Sequence, residues 1–68
     1  ALGKPGEIVV ARANIRNGSN KNAKLLRTLK QGDALVILGN KGNWLRIWMV
    51  EHRQFGWVFN RLVRGYEK

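Results

Sequence analysis

Short apolar segments separated by polar, glycine-containing turns restrict the fold of this chain more than any other feature. In residues 44–50, tryptophan and arginine alternate with leucine, isoleucine and methionine, and this period of two places alternate side chains on opposite faces of a strand. No segment has the 3.6-residue apolar period of a long amphipathic helix. Because closing a sheet hides its strand edges, we predict an all-β fold, a small five-stranded barrel. The other strands are expected at 11–16, 35–38 and 55–59 and in a short final segment at 63–66, with one tight helical turn at 60–62. Residues 23–29 fit neither a helical period nor a strict strand alternation, and their neighbours favour a strand.

At 68 residues, the chain has the length of one small domain. We expect residues 1–8 to be a flexible lead-in, because Pro5 and Gly6 together are a turn signal, and residues 9–66 to form the single domain. Hydrophobic residues make up 44% of the chain, which is too many for a disordered segment. The residues expected to form the core are Ile15, Leu26, Leu29, Leu35, Ile37, Ile47, Val58 and Val63.

The charge balance favours anionic partners. Thirteen Lys and Arg residues face four Asp and Glu residues, for a formal net charge of +9. Charge of this density attracts nucleic acid, acidic membrane surfaces or anionic polymers such as a bacterial wall, and it opposes self-association, so we expect a monomer. Apolar runs such as residues 34–39 are far below the ~20 residues that a membrane-spanning helix needs. We therefore expect no membrane insertion, and the first residues show no signal-peptide pattern.

The chain has few residues of the types that catalysis and metal binding require. The chain has no cysteine, which excludes disulfides and thiolate zinc sites, and a single histidine cannot form a structural zinc site alone. Ser19 and His52 lie in separate predicted loops, and no pair of carboxylates shares a motif suited to acid–base catalysis. We expect no enzymatic activity, no bound metal and no cofactor, and we place His52 in an exposed hairpin.

Four motifs, in order, resemble those of bacterial SH3 domains. Ala-Asn-Ile-Arg-Asn-Gly at 13–18 is similar to the family's Leu-Asn-Val-Arg-Ser-Gly opening, and residues 29–38 are similar to its Leu-x-x-Gly-x-x-Val-x-Val-Leu segment. Gly-Asn-Trp-Leu-Arg-Ile at 42–47 resembles the Gly-x-Trp-x-Lys-Val hairpin, and Gly-Trp-Val occurs at 56–58. Ala13 is smaller than the usual aliphatic residue, and Trp48 stands where a polar residue is common. The resemblance covers about residues 9–63 and implies an SH3-like barrel that binds a ligand without catalysis.

Residues 56–63 also resemble the end of eukaryotic SH3 domains, where Phe59 and Leu62 stand at two positions that line the polyproline groove of that family. The acidic loop that pairs with ligand arginines is missing here. The corresponding loop carries Arg16 and Lys21, which would repel basic proline-rich peptides. By resemblance, the groove lies between the loop after Arg16 and the hairpin at 39–43.

The resemblance and the strand alternation together identify candidate binding residues. Trp44 shares a strand face with Trp48, opposite Ile47, so it is either a lid over one end of the barrel or a stacking platform for peptide or glycan. Trp48 is expected to pack against the long loops, and Trp57 to be half-buried. The predicted ligand-binding residues are Asn14, Arg16, Trp44, Phe59 and Leu62, and the predicted anion-binding stripe consists of Arg12, Lys24 and Arg27.

Three functions remain open at this point. The resemblance implies a targeting module within a larger cell-envelope or secreted protein, which would bind peptidoglycan peptides or another anionic wall polymer. The alternative is a basic barrel that binds nucleic acid, with Trp44, Trp48 and Phe59 stacking on bases while the basic residues contact phosphates. A third possibility is a protein–protein adaptor.

Overall fold

The computed structural model describes residues 3–65, which form one antiparallel sheet with the strand order β3-β2-β6-β5-β4-β1-β7. A single 3₁₀ turn, Asn60–Leu62, connects the last two strands. The strands are β1 (Lys4–Ile8), β2 (Arg12–Arg16), β3 (Leu25–Lys30), β4 (Ala34–Lys41), β5 (Trp44–Met49), β6 (Gln54–Phe59) and β7 (Val63–Gly65). The predicted all-β, SH3-like barrel is therefore confirmed, with seven strands in place of five. No helix within residues 3–65 has the length and apolarity needed to cross a bilayer.

The additional strand β1 corrects the expectation that residues 1–8 are a flexible lead-in. Glu7 pairs with Ala34 of β4, and Ile8 pairs with Val63 of β7. Pro5 pairs with Val36 of β4. Residues 1 and 2 of the expected lead-in, and residue 66 of the expected domain, lie outside the described residues.

The core lies on the inner face of the sheet. Five of the predicted core residues are buried, and Ile37 and Val63 pack against them at partial exposure. Leu26 is only half-buried, because the pairing of β2 with β3 goes from Ile15–Arg27 directly to Arg16–Leu25 and leaves Leu26 in a bulge. A bulge bends the strand and breaks its alternation. The buried set is Ile8, Ala13, Ile15, Leu29, Leu35, Ile47, Met49 and Val58.

Candidate ligand-binding groove

A groove of about 500 Å³ lies between β2, the loop that follows it, and the ends of β5 and β6. Its floor is apolar and its rim is polar, so it has the form of a small-ligand or peptide site. The floor residues are Trp44, Phe59 and Leu62, and the rim residues are Arg12, Asn14, Arg16, Ser19, Asn20 and Lys21.

The floor is built by the pairing of β5 with β6. Trp44 and Phe59 are direct cross-strand partners, and their rings meet edge to face with centroids 5.6 Å apart and planes at 80°. The buried neighbours Ile47 and Val58 point inward, so the period of two turns Trp44 and Phe59 outward. Leu62 reaches the floor from the 3₁₀ turn, whose Asn60 donates its backbone N–H to the carbonyl of Asn43 at 2.9 Å.

The rim begins on β2, where polar residues alternate with the buried Ala13 and Ile15. Asn14 accepts a hydrogen bond at Oδ1 from the hydroxyl of Thr28, at 3.2 Å. Arg16 donates from Nη1 to the carbonyl oxygen of Ala23 at 3.0 Å. This bond ties the end of β2 to the far end of the following loop and holds the loop beside the floor.

All five predicted ligand-binding residues line this one groove, and their role in binding stays a prediction. The location of the groove differs from the predicted location in one respect. The 39–43 hairpin was expected to form one side, but Gly39, Asn40 and Gly42 line a separate cavity of about 470 Å³. The shift in pairing between Ile37 and Gly39 accompanies this displacement of the hairpin.

The predicted anion-binding stripe of Arg12, Lys24 and Arg27 is not brought together at one site. Arg12 lines the groove, whereas Lys24 and Arg27 do not. The guanidinium of Arg27 is engaged by two other side chains: its Nε donates to Oε1 of Gln54 at 3.1 Å, and its Nη1 lies 2.9 Å from Nδ1 of the exposed His52.

Ser19 and Asn20 are groove residues that the sequence analysis did not single out. They follow Asn17 and Gly18 in a polar loop, and only the position of that loop beside the expected groove pointed to them. Asn20 accepts at Oδ1 from the backbone N–H of Asn22, at 2.9 Å, which is an Asx-type turn that shapes the loop.

The outer face of the β5–β6 hairpin carries further aromatic residues outside the groove. Trp48 was expected to pack against the long loops. It meets its cross-strand partner Phe55 edge to face with centroids 4.7 Å apart. The Arg46 guanidinium carbon lies 5.4 Å from the centroid of Phe55, within cation–π range. Trp57 is half-buried, in agreement with the prediction.

The groove offers binding chemistry. None of its lining residues is a carboxylate, a histidine or a cysteine, and no group of three or more potential metal ligands occurs within residues 3–65. The lining groups can provide apolar contact, hydrogen-bond donors and positive charge.

Comparison with models of protein families matches residues 11–64 to the model described as bacterial SH3 domain. That range includes the full length of β2 to β6 and every residue that lines the groove. Comparison with curated proteins finds no match.

Proposed function

Since the chain belongs to the bacterial SH3 domain family, we propose that it is a non-catalytic targeting module that binds bacterial cell-wall ligands in the groove. Bacterial SH3 domains are generally binding modules and often occur in cell-envelope or secreted proteins. The ligand in this proposal is a peptidoglycan peptide or another anionic wall polymer, and the module belongs to a larger envelope or secreted protein.

The observation that carries the proposal is the aromatic floor with a basic rim. Paired aromatic side chains in a shallow groove bury a large area at little cost in side-chain entropy, which is how binding hot spots form. Trp44 and Phe59 form such a pair. The rim cations Arg12, Arg16 and Lys21 suit a wall that carries carboxylates and phosphates, and they oppose basic ligands.

The test measures binding to soluble wall fragments and to purified sacculi. Alanine at Trp44 or at Phe59 should weaken binding by about 1–3 kcal/mol, because each substitution removes half of the aromatic floor. Chemical-shift changes on titration should cluster on the floor and on β2. Phe55→Ala is the matched control, because Phe55 is 52% exposed and lies outside the groove.

Equal losses in the Phe55 variant and in the groove variants would overturn the assignment of the site. Circular dichroism and thermal melts of each variant separate a loss of binding from a loss of fold. Absence of binding to any wall fragment would overturn the wall-binding proposal. A gel-shift assay with single-stranded nucleic acid, run in parallel, tests the alternative that the chain binds nucleic acid.

A further inference from the structure

We infer that the groove selects ligands by their free carboxylates, and that Arg12 and Lys21 distinguish a wall peptide with free acid groups from the same peptide with those groups amidated. This inference rests on the proposed function and narrows its ligand to one chemical class. It depends on which hydrogen-bonding groups of the rim are already engaged within the protein.

The oxygen of each rim amide already accepts one hydrogen bond within the protein and has one lone pair left. Oδ1 of Asn14 accepts from the Thr28 hydroxyl at 3.2 Å, and Oδ1 of Asn20 accepts from the backbone N–H of Asn22 at 2.9 Å. An asparagine side chain has one carbonyl oxygen and one NH₂ group. Each amide is therefore held so that its NH₂ group remains to donate to a ligand.

The charged groups of the rim are donors only. Arg12, Arg16 and Lys21 have no acceptor atom in their side-chain head groups, and among residues 3–65 no carboxylate lines the groove to neutralise them. Arg16 uses Nη1 to hold the carbonyl of Ala23 at 3.0 Å, and its remaining N–H groups stay available. Ser19 adds a hydroxyl group that can both donate and accept.

A rim of donors around an apolar floor matches a ligand that is rich in acceptors and carries no cation. A carboxylate satisfies this pattern best, because it accepts through two oxygens and gains charge-assisted bonds. An amide in its place brings its own NH₂ donors against the rim. Amidation therefore removes the attraction and adds a donor–donor mismatch, which is costly where the groups are desolvated.

The rim cations are spread along β2 and the loop that follows it. Arg12 begins β2, whereas Arg16 ends it, and four residue steps along a strand cover roughly 13 Å. Lys21 lies in the loop beyond Arg16. An extended peptide in the groove can thus place a carboxylate at either end while its apolar side chains contact Trp44 and Phe59.

The experiment titrates the chain with two synthetic wall stem peptides of one sequence, the first with free carboxylates and the second with every carboxyl group converted to an amide. The free acid should bind about five- to twentyfold more tightly, which is the size expected of partly exposed charge-assisted contacts. Arg12→Gln and Lys21→Gln should each reduce that preference about three- to fivefold. Arg64→Gln on the edge strand β7 is the matched control, because it removes the same charge away from the groove.

The possible outcomes test the carboxylate inference and the proposed wall-binding function separately. A preference lost in Arg12→Gln and Lys21→Gln but kept in Arg64→Gln supports the inference. Equal affinity of the wild-type chain for the two peptides overturns the inference and leaves wall-peptide binding standing. An equal reduction in the Arg64 variant also overturns it, because net charge would then account for the preference. If neither peptide binds, the proposed function fails and the carboxylate inference fails with it.

Discussion

Replacement of Gly56 by alanine should destabilise the fold and disturb β2, the strand that carries part of the groove rim. A Cβ atom at position 56 would overlap Cγ2 of Ile15 and would also lie 3.4 Å from Cε of Met49 and 3.5 Å from the carbonyl oxygen of Arg16. Ile15 and Met49 are both fully buried, so neither can swing into solvent. Either β6 or β2 must therefore move.

The expected change in the free energy of unfolding is the difference between a packing cost and an entropy gain. Overpacking of a filled core costs about 1–3 kcal/mol, whereas replacing glycine by alanine stabilises by about 0.4–1 kcal/mol through the lower entropy of the unfolded chain. The expected net loss is about 0.5–2 kcal/mol. For a domain of this size, each 1 kcal/mol lowers the melting temperature by about 4–8 °C.

Urea denaturation followed by tryptophan fluorescence measures this loss as a lower midpoint at an unchanged slope. Gly39→Ala is the matched control. Gly39 also lies in a strand, but a Cβ there meets nothing within 4 Å, and its φ is not positive. That variant should be as stable as the wild type or slightly more so. A Gly56 variant as stable as the wild type, or an equal loss in both variants, would refute the packing argument.

The remaining predictions concern the core and the salt dependence of binding. Ile47→Ala should cost about 2–5 kcal/mol, because it opens a cavity among fully buried neighbours; a loss well below 1 kcal/mol in the same urea assay would contradict the assigned strand face. Binding of wall polymer should weaken about 20- to 40-fold between about 50 and 200 mM salt, because about three rim cations release counterions. Titrations at several salt concentrations check this, and an unchanged affinity would mean that the rim charges do not contact the ligand.

Local sequence patterns predicted most of the strands and most of the core, because alternation and turn chemistry act over a few residues. The alternation in residues 44–50 correctly placed Ile47 inward and Trp44 outward. The Leu25–Leu26 pair broke the alternation of its segment, and the bulge opposite Ile15 and Arg16 explains why. The same patterns, together with the order of the four motifs, also identified five residues that line one groove.

Contacts between distant segments decided the rest. Lys4–Ile8 became a strand because β4 and β7 lie on either side of it, and no pattern within residues 1–8 contains that information. The sequence predicted that Arg27 belongs to a cationic stripe. In the folded chain its guanidinium contacts Gln54 and His52 instead.

The sequence alone likewise could not predict that the groove rim presents mainly hydrogen-bond donors. Which end of the Asn14 amide faces the groove depends on Thr28, from a neighbouring strand. The chemical types of the side chains are properties of the sequence alone. Which of their atoms remain available to a ligand depends on the hydrogen bonds of the folded chain, because each bond made within the protein uses a donor or acceptor position that a ligand could otherwise use.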